Sequence, residues 1–154
     1  GQGDKSHRGQ GKSNANYLCF GQEILAVADG KVIIAIEGVP DNEPGSMNPY
    51  FVPGNTVVLE HEPKLYSVYC HLQRGSVKVQ VGRSLKKGEV LGLCGNSGHS
   101  SEPHLHFQLQ DGPLFESSWG VEGIFENVSV MRGGSQETIA KYRFPKGDII
   151  DAGK

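Results

Sequence analysis

A chain of 154 residues with a formal charge of −2 and 21% charged residues lacks the basic face of a nucleic-acid binder. It contains no apolar run near the roughly 18 residues of a membrane span. Its length fits one domain, residues 1–154, and the N-terminal residues Gly1 to Lys5 are no signal peptide, so the chain reads as a mature or trimmed form. The 22 glycines and 8 prolines, spread between short Val/Ile-rich runs, predict an all-β fold with many tight turns. The three cysteines, Cys19, Cys70 and Cys94, make no disulfide framework. Cys70 and Cys94, in apolar contexts, read as small buried thiols, with one bridge and a leftover thiol as the other arrangement.

Residues 1–21 are rich in Gly, Ser and Asn and read as loop, with His7 and Asn16 in it. Glu23 to Val27 and Lys31 to Ile36 are apolar runs flanking Asp29-Gly30, which predicts a hairpin. Gly38 to Gly54, broken by four prolines, is too long for a plain connection and predicts a wall or lid of a groove. Thr56 to His61 and Leu65 to Leu72 are the next strands. Alternation places Val68, Cys70 and Leu72 on one face of the second, with Tyr69 and His71 on the other. On that reading Cys70 points away from His71, which argues against a Cys–His dyad.

Val77 to Val81 alternates as a half-buried strand, and Leu91 to Cys94 leads into the loop Gly95 to Ser101. Then comes Pro103-His104-Leu105-His106-Phe107. As a strand it presents His104 and His106 side by side and turns Leu105, Phe107 and Leu109 into a core. Beyond Asp111 the pattern weakens. Val128 to Val130 and Tyr142 to Phe144 read as short edge strands, Gly133 to Ser135 as a turn or loose loop, and the last residues as frayed. His61 reads as a structural or surface residue, and His99 as solvent-facing with an approach to the groove as the other arrangement.

His7, His71 and the pair His104/His106 come from three segments. Imidazole is the commonest metal-binding side chain and the usual acid/base near neutral pH. A catalytic zinc takes three protein ligands and keeps a place for water, and an unligated histidine nearby acts as base or oxyanion stabiliser.

The blocks His7-Arg8-Gly9, Phe20-Gly21, Ile24 to Val32, Tyr69-Cys70-His71-Leu72, Gly88 to Gly92, Gly95 to Gly98 and Pro103 to Phe107 resemble, in order and context, the lysostaphin-type (LytM-type) zinc endopeptidases. Those enzymes cleave peptide crosslinks of bacterial peptidoglycan. The resemblance runs over residues 7–110, leaving 111–154 as a C-terminal extension. It implies a mostly antiparallel β-sheet of the barrel-sandwich-hybrid type with a loop-walled groove. It also implies zinc as cofactor, peptidoglycan peptide as substrate and a place outside the cytoplasmic membrane.

Carried over by motif, the resemblance makes His7 and His106 metal ligands and His71 and His104 the catalytic histidines. The family's aspartate ligand falls at Asn16, with Asn14 and Asp4 as the other candidates. An amide is a poorer zinc ligand than a carboxylate. The resemblance therefore also admits a non-catalytic relative with a degraded site, one that binds cell-wall peptide or activates a partner hydrolase.

Overall fold

The computed structural model describes residues 6–132, 135–143 and 149–151. The chain divides into two compact units, Gly1–Val121 and Glu122–Lys154. Among the described residues every strand ladder is antiparallel, as the family resemblance implies.

In the first unit the strands are β1 (Glu23–Leu25), β2 (Gly30–Ile36), β3 (Asn55–Glu62), β4 (Leu65–Leu72), β5 (Ser84–Leu85), β6 (Val90–Leu93), β7 (His106–Gln110) and β8 (Gly120–Val121). Six of them form a sheet in the order β5-β2-β3-β4-β7-β8, and β1 pairs with β6 in a second ladder. The main core packs Val32, Val57, Leu59, Tyr69, Leu72 and Leu91, all essentially without exposed surface, against Phe107. Burying each such side chain contributes about 1.5–3 kcal/mol. A smaller cluster of Val58, Val68 and Cys70 lies apart from it.

Several sequence expectations are corrected. Residues 23–36 are no hairpin: β1 pairs with β6 and β2 with β3 and β5. Ala26 donates its N–H to Glu89 O at 2.9 Å, and this ties the end of β1 to the β6 side. Val77 to Val81 is not a strand. Val77 and Val79 are buried as the alternation requires, but the Val77 N–H goes to the Glu37 carboxylate rather than to a neighbouring strand.

The face assignment in β4 also fails at its end. Opposite β3 the register steps from Val57↔Tyr69 to Asn55↔Leu72, so β4 carries one extra residue there. His71 sits at φ +61°, a left-handed conformation that a side chain adopts only where its surroundings hold it. This bulge returns Leu72 to the core beside Tyr69 and puts His71 on the side of Cys70.

The second unit is a three-stranded sheet in the order β10-β9-β11, with β9 at Phe125–Arg132, β10 at Ser135–Tyr142 and β11 at Ile149–Asp151. The run 128–130 is therefore inside a central strand, not an edge one. Gly133, Gly134, Phe144 and residues 152–154 lie outside the described residues.

Candidate functional site

The bulged end of β4, the start of β7, and the loops 38–54 and 95–101 meet at a groove of about 390 Å³. Its lining is Val52, Pro53, Cys70, His71, His99, His104, His106, Phe115 and Glu116. The long loop does wall the groove, through Val52 and Pro53. His104 and Leu105 precede β7 rather than lie in it. Leu105 is 36% exposed instead of reaching the core, because the ladder that would enforce alternation begins only at His106.

Three imidazoles converge here. His71 and His104 lie 4.8 Å apart between ring centroids and His71 and His106 6.0 Å. The His106 ring leans on Phe115 at 5.7 Å.

Each ring is oriented by a second group. His71 Nδ1 lies 2.8 Å from Ser97 O. A carbonyl only accepts, so Nδ1 carries the proton and Nε2 is left as acceptor. Burial, aided by the charges of His104, His106 and His99, pushes the His71 imidazole down to about 4 against the pull of the Ser97 bond. His71 is thus neutral at neutral pH. His104 Nδ1 is held by Glu102 O at 2.9 Å and Ser100 Oγ at 3.1 Å. His106 Nε2 donates to Gln108 Oε1 at 3.1 Å.

The glycine loop behind these rings is built in rather than loose. Asn96, Ser97 and Ser100 are buried. Ser97 Oγ accepts from Asn55 N at 2.9 Å and donates to Leu72 O at 2.7 Å. Gly98 has φ +76°, and a Cβ there would collide with the Gly54 backbone.

The remaining candidate residues stand outside the groove lining. His7 pairs with Tyr17 in an isolated bridge and packs on its ring at 5.3 Å. Asn16 ends a short 3-10 turn over Asn14–Asn16 and folds its Oδ1 back to accept the Ser13 N–H at 3.2 Å. Asn14 accepts from Asn96 Nδ2 at 3.1 Å and donates to Asn42 O at 2.7 Å. Asp4 lies outside the described residues.

His7 Nδ1 is buried with no hydrogen-bond partner, which suits a metal ligand. The rest of the donor set does not. Among the described residues no three His, Cys, Asp or Glu side chains come together as a metal would need. The oxygens of Asn14 and Asn16 are both engaged as acceptors. The side chains as they stand do not fit a complete catalytic zinc site, and the chemistry legible in the groove is that of its imidazoles.

Sequence reasoning set aside His99 and did not single out Phe115 or Glu116. His99 donates its backbone N–H to Val52 O at 2.9 Å and so joins the two loops at the rim. Its signal was its place in the glycine loop before the paired histidines. His61, left between a structural and a surface role by its sequence, is structural: its ring nitrogens reach Asp29 O and Ser67 Oγ, each at 2.7 Å.

Residues 13–116 match the model of Peptidase family M23, a span that takes in every residue lining the groove. The peptidoglycan DD-endopeptidase ShyC of Vibrio cholerae is 30% identical over 146 residues, covering 92% of this chain and 29% of that protein. An uncharacterized metalloprotease of Haemophilus influenzae is 38% identical over 89 residues, covering 58% of this chain and 16% of its own length. The chain thus spans less than a third of these curated relatives. A mutant catalytic domain of the prophage-encoded M23 protein EnpA from Enterococcus faecalis shares the fold, with a TM-score of 0.51 at 23% identity over 66% of this chain and 67% of that one. The ordered blocks of the sequence, the antiparallel sheet and the match over 13–116 lead to one assignment: the chain belongs to peptidase family M23, among the lysostaphin-type peptidases it resembles.

Proposed function

We propose that this domain hydrolyses peptide bonds in the crosslinks of bacterial peptidoglycan, outside the cytoplasmic membrane, with the peptide laid in the histidine groove. The observation that carries this reading is the meeting of His71, His104 and His106 at one largely apolar groove. The activity of ShyC on peptidoglycan, stated in its name, supports the substrate class.

In this reading His71 and His104 are the catalytic histidines. His71, neutral and with Nδ1 occupied by Ser97 O, accepts a proton from the attacking water at Nε2. His104, held at Nδ1 by Glu102 O, stabilises the developing oxyanion.

Zinc dependence is the finer part of the proposal, with His7, Asn16 and His106 as ligands. Assembling that set requires Asn16 to leave Ser13. The test is elemental analysis after zinc loading and removal of excess, alongside digestion of purified peptidoglycan. One retained zinc per chain with release of cleaved peptides supports the reading.

A second reading, a non-catalytic module that binds wall peptide or a partner hydrolase, is favoured by one observation. The position expected to carry a carboxylate is an asparagine engaged in its own turn. Retained peptidoglycan binding without metal or cleavage selects it.

A further inference from the structure

We propose that Cys19 and Cys94 are a dithiol that a disulfide oxidant closes to an intramolecular bridge, clamping the segment after Asn16 to the strand that feeds the glycine loop. The Cys19 and Cys94 side chains act directly on one another. The backbone around them is paired as well: Gly21 N donates to Cys94 O and Cys94 N to Gln22 O, each at 2.8 Å. Cys19 Sγ also reaches Pro103 O at 3.0 Å, so the pair lies under the entry to His104. The third thiol is elsewhere. Cys70 packs with Val58 and Val68, and burial pushes it up to about 11.

The two partners differ in the way an exchange pair requires. Cys19 is half-buried, while Cys94 is 2% exposed. The hydrogen bond from Cys94 holds the Cys19 thiol down to about 7, against the opposing effect of burial, and the same bond holds Cys94 well above the ordinary thiol range. Cys19 is therefore the attacking thiolate.

Its sulfur bonds to one sulfur of the oxidant and the other leaves as a thiolate. That thiolate takes the Cys94 proton. Cys94 then attacks Cys19 Sγ and expels the second oxidant thiol. Two protein thiols are oxidised and one external disulfide is reduced to two thiols. The bridge braces the site from behind. Cys94 is two residues from Asn96, which holds Asn14, and three from Ser97, which holds His71.

The experiment treats the folded 154-residue chain with glutathione disulfide, alkylates remaining thiols, and maps them by mass spectrometry. Cleavage after Lys and Arg separates the three cysteines, since Lys12 and Lys31, Lys64 and Arg74, and Lys87 and Arg132 bracket them. The expected result is loss of two hydrogen atoms of mass, a peptide linking Cys19 to Cys94, and an alkylated Cys70. Cys94→Ser is expected to stop at a glutathione adduct on Cys19. A lasting adduct on Cys19 of the wild-type chain, a bridge to Cys70, or three unreacted thiols would each overturn the proposal.

Discussion

His71 and Ser97 are joined by a hydrogen bond of 2.8 Å from the imidazole Nδ1 to the serine carbonyl, across two segments 26 residues apart in sequence. The bond fixes the tautomer of the histidine, and the serine hydroxyl fixes the loop that offers the carbonyl. Ser97→Ala removes the acceptor of the buried Asn55 N–H. An unpaired buried donor costs about 1–3 kcal/mol, so the unfolding free energy falls by that much and the urea midpoint drops in proportion. A midpoint equal to wild type would mean that water replaces the hydroxyl.

His71→Asn separates backbone from chemistry. Asparagine tolerates the left-handed φ of +61° better than most residues, so the circular dichroism spectrum is retained. Loss of the proton acceptor lowers peptidoglycan hydrolysis by about 10²–10⁴-fold. Full activity in this variant would remove His71 from the proposed mechanism.

Gly98→Ala meets both a positive φ and the Gly54 backbone. The conformational term alone costs about 1 kcal/mol, and the collision adds to it. Thermal unfolding is expected several degrees lower. Gly38→Ala, with φ +100° but nothing near its Cβ, is the control that carries only the conformational cost.

Glu37 accepts backbone N–H bonds from Gly38, Gly75 and Val77. Partial burial works to raise its carboxyl, but these bonds prevail and hold it below the usual carboxylate value. A folded-state pKa below the unfolded one contributes stability above the unfolded value. That contribution is lost as the pH falls through the folded value. Glu37→Gln is expected to flatten the fall in unfolding free energy across the acid range, measured by denaturant titrations at a series of pH values. An unchanged acid slope would show that Glu37 is not one of its sources.

Asn16→Asp supplies the missing carboxylate. If His7, residue 16 and His106 form the metal set, zinc affinity rises by at least the 10–100-fold scale on which ligand-sphere changes act. Isothermal titration measures it. Equal affinity in both chains would place the metal elsewhere.

Much of this fold was legible because period-2 alternation is enforced wherever a ladder exists: β2, β3, the body of β4 and β7 each coincide with a predicted run to within a residue or two at the ends. The misses share a cause. Val77 to Val81 alternates yet has no neighbouring strand, and Leu105 stands just ahead of the ladder that would have buried it. The bulge at His71 inserts one residue by a contact with Pro53 O at 3.0 Å that no local pattern announces. Asp29-Gly30 stands at a bend that leads straight into β2, and turn chemistry does not say which strand pairs next. In the groove, His71, His104 and His106 were readable from motif order, whereas Phe115 and Glu116 arrive through a short 3-10 turn, Phe115–Ser117, with no periodic signal.

The most direct test of the account is digestion of purified crosslinked muropeptides by the zinc-treated chain and by its His104→Ala variant, with mass spectrometry of the products. The account predicts new amino and carboxyl ends within the peptide crosslinks for the wild-type chain and their near-complete loss in the variant. Identical product yields from both chains would contradict it, and so would intact substrate after treatment with the wild-type chain.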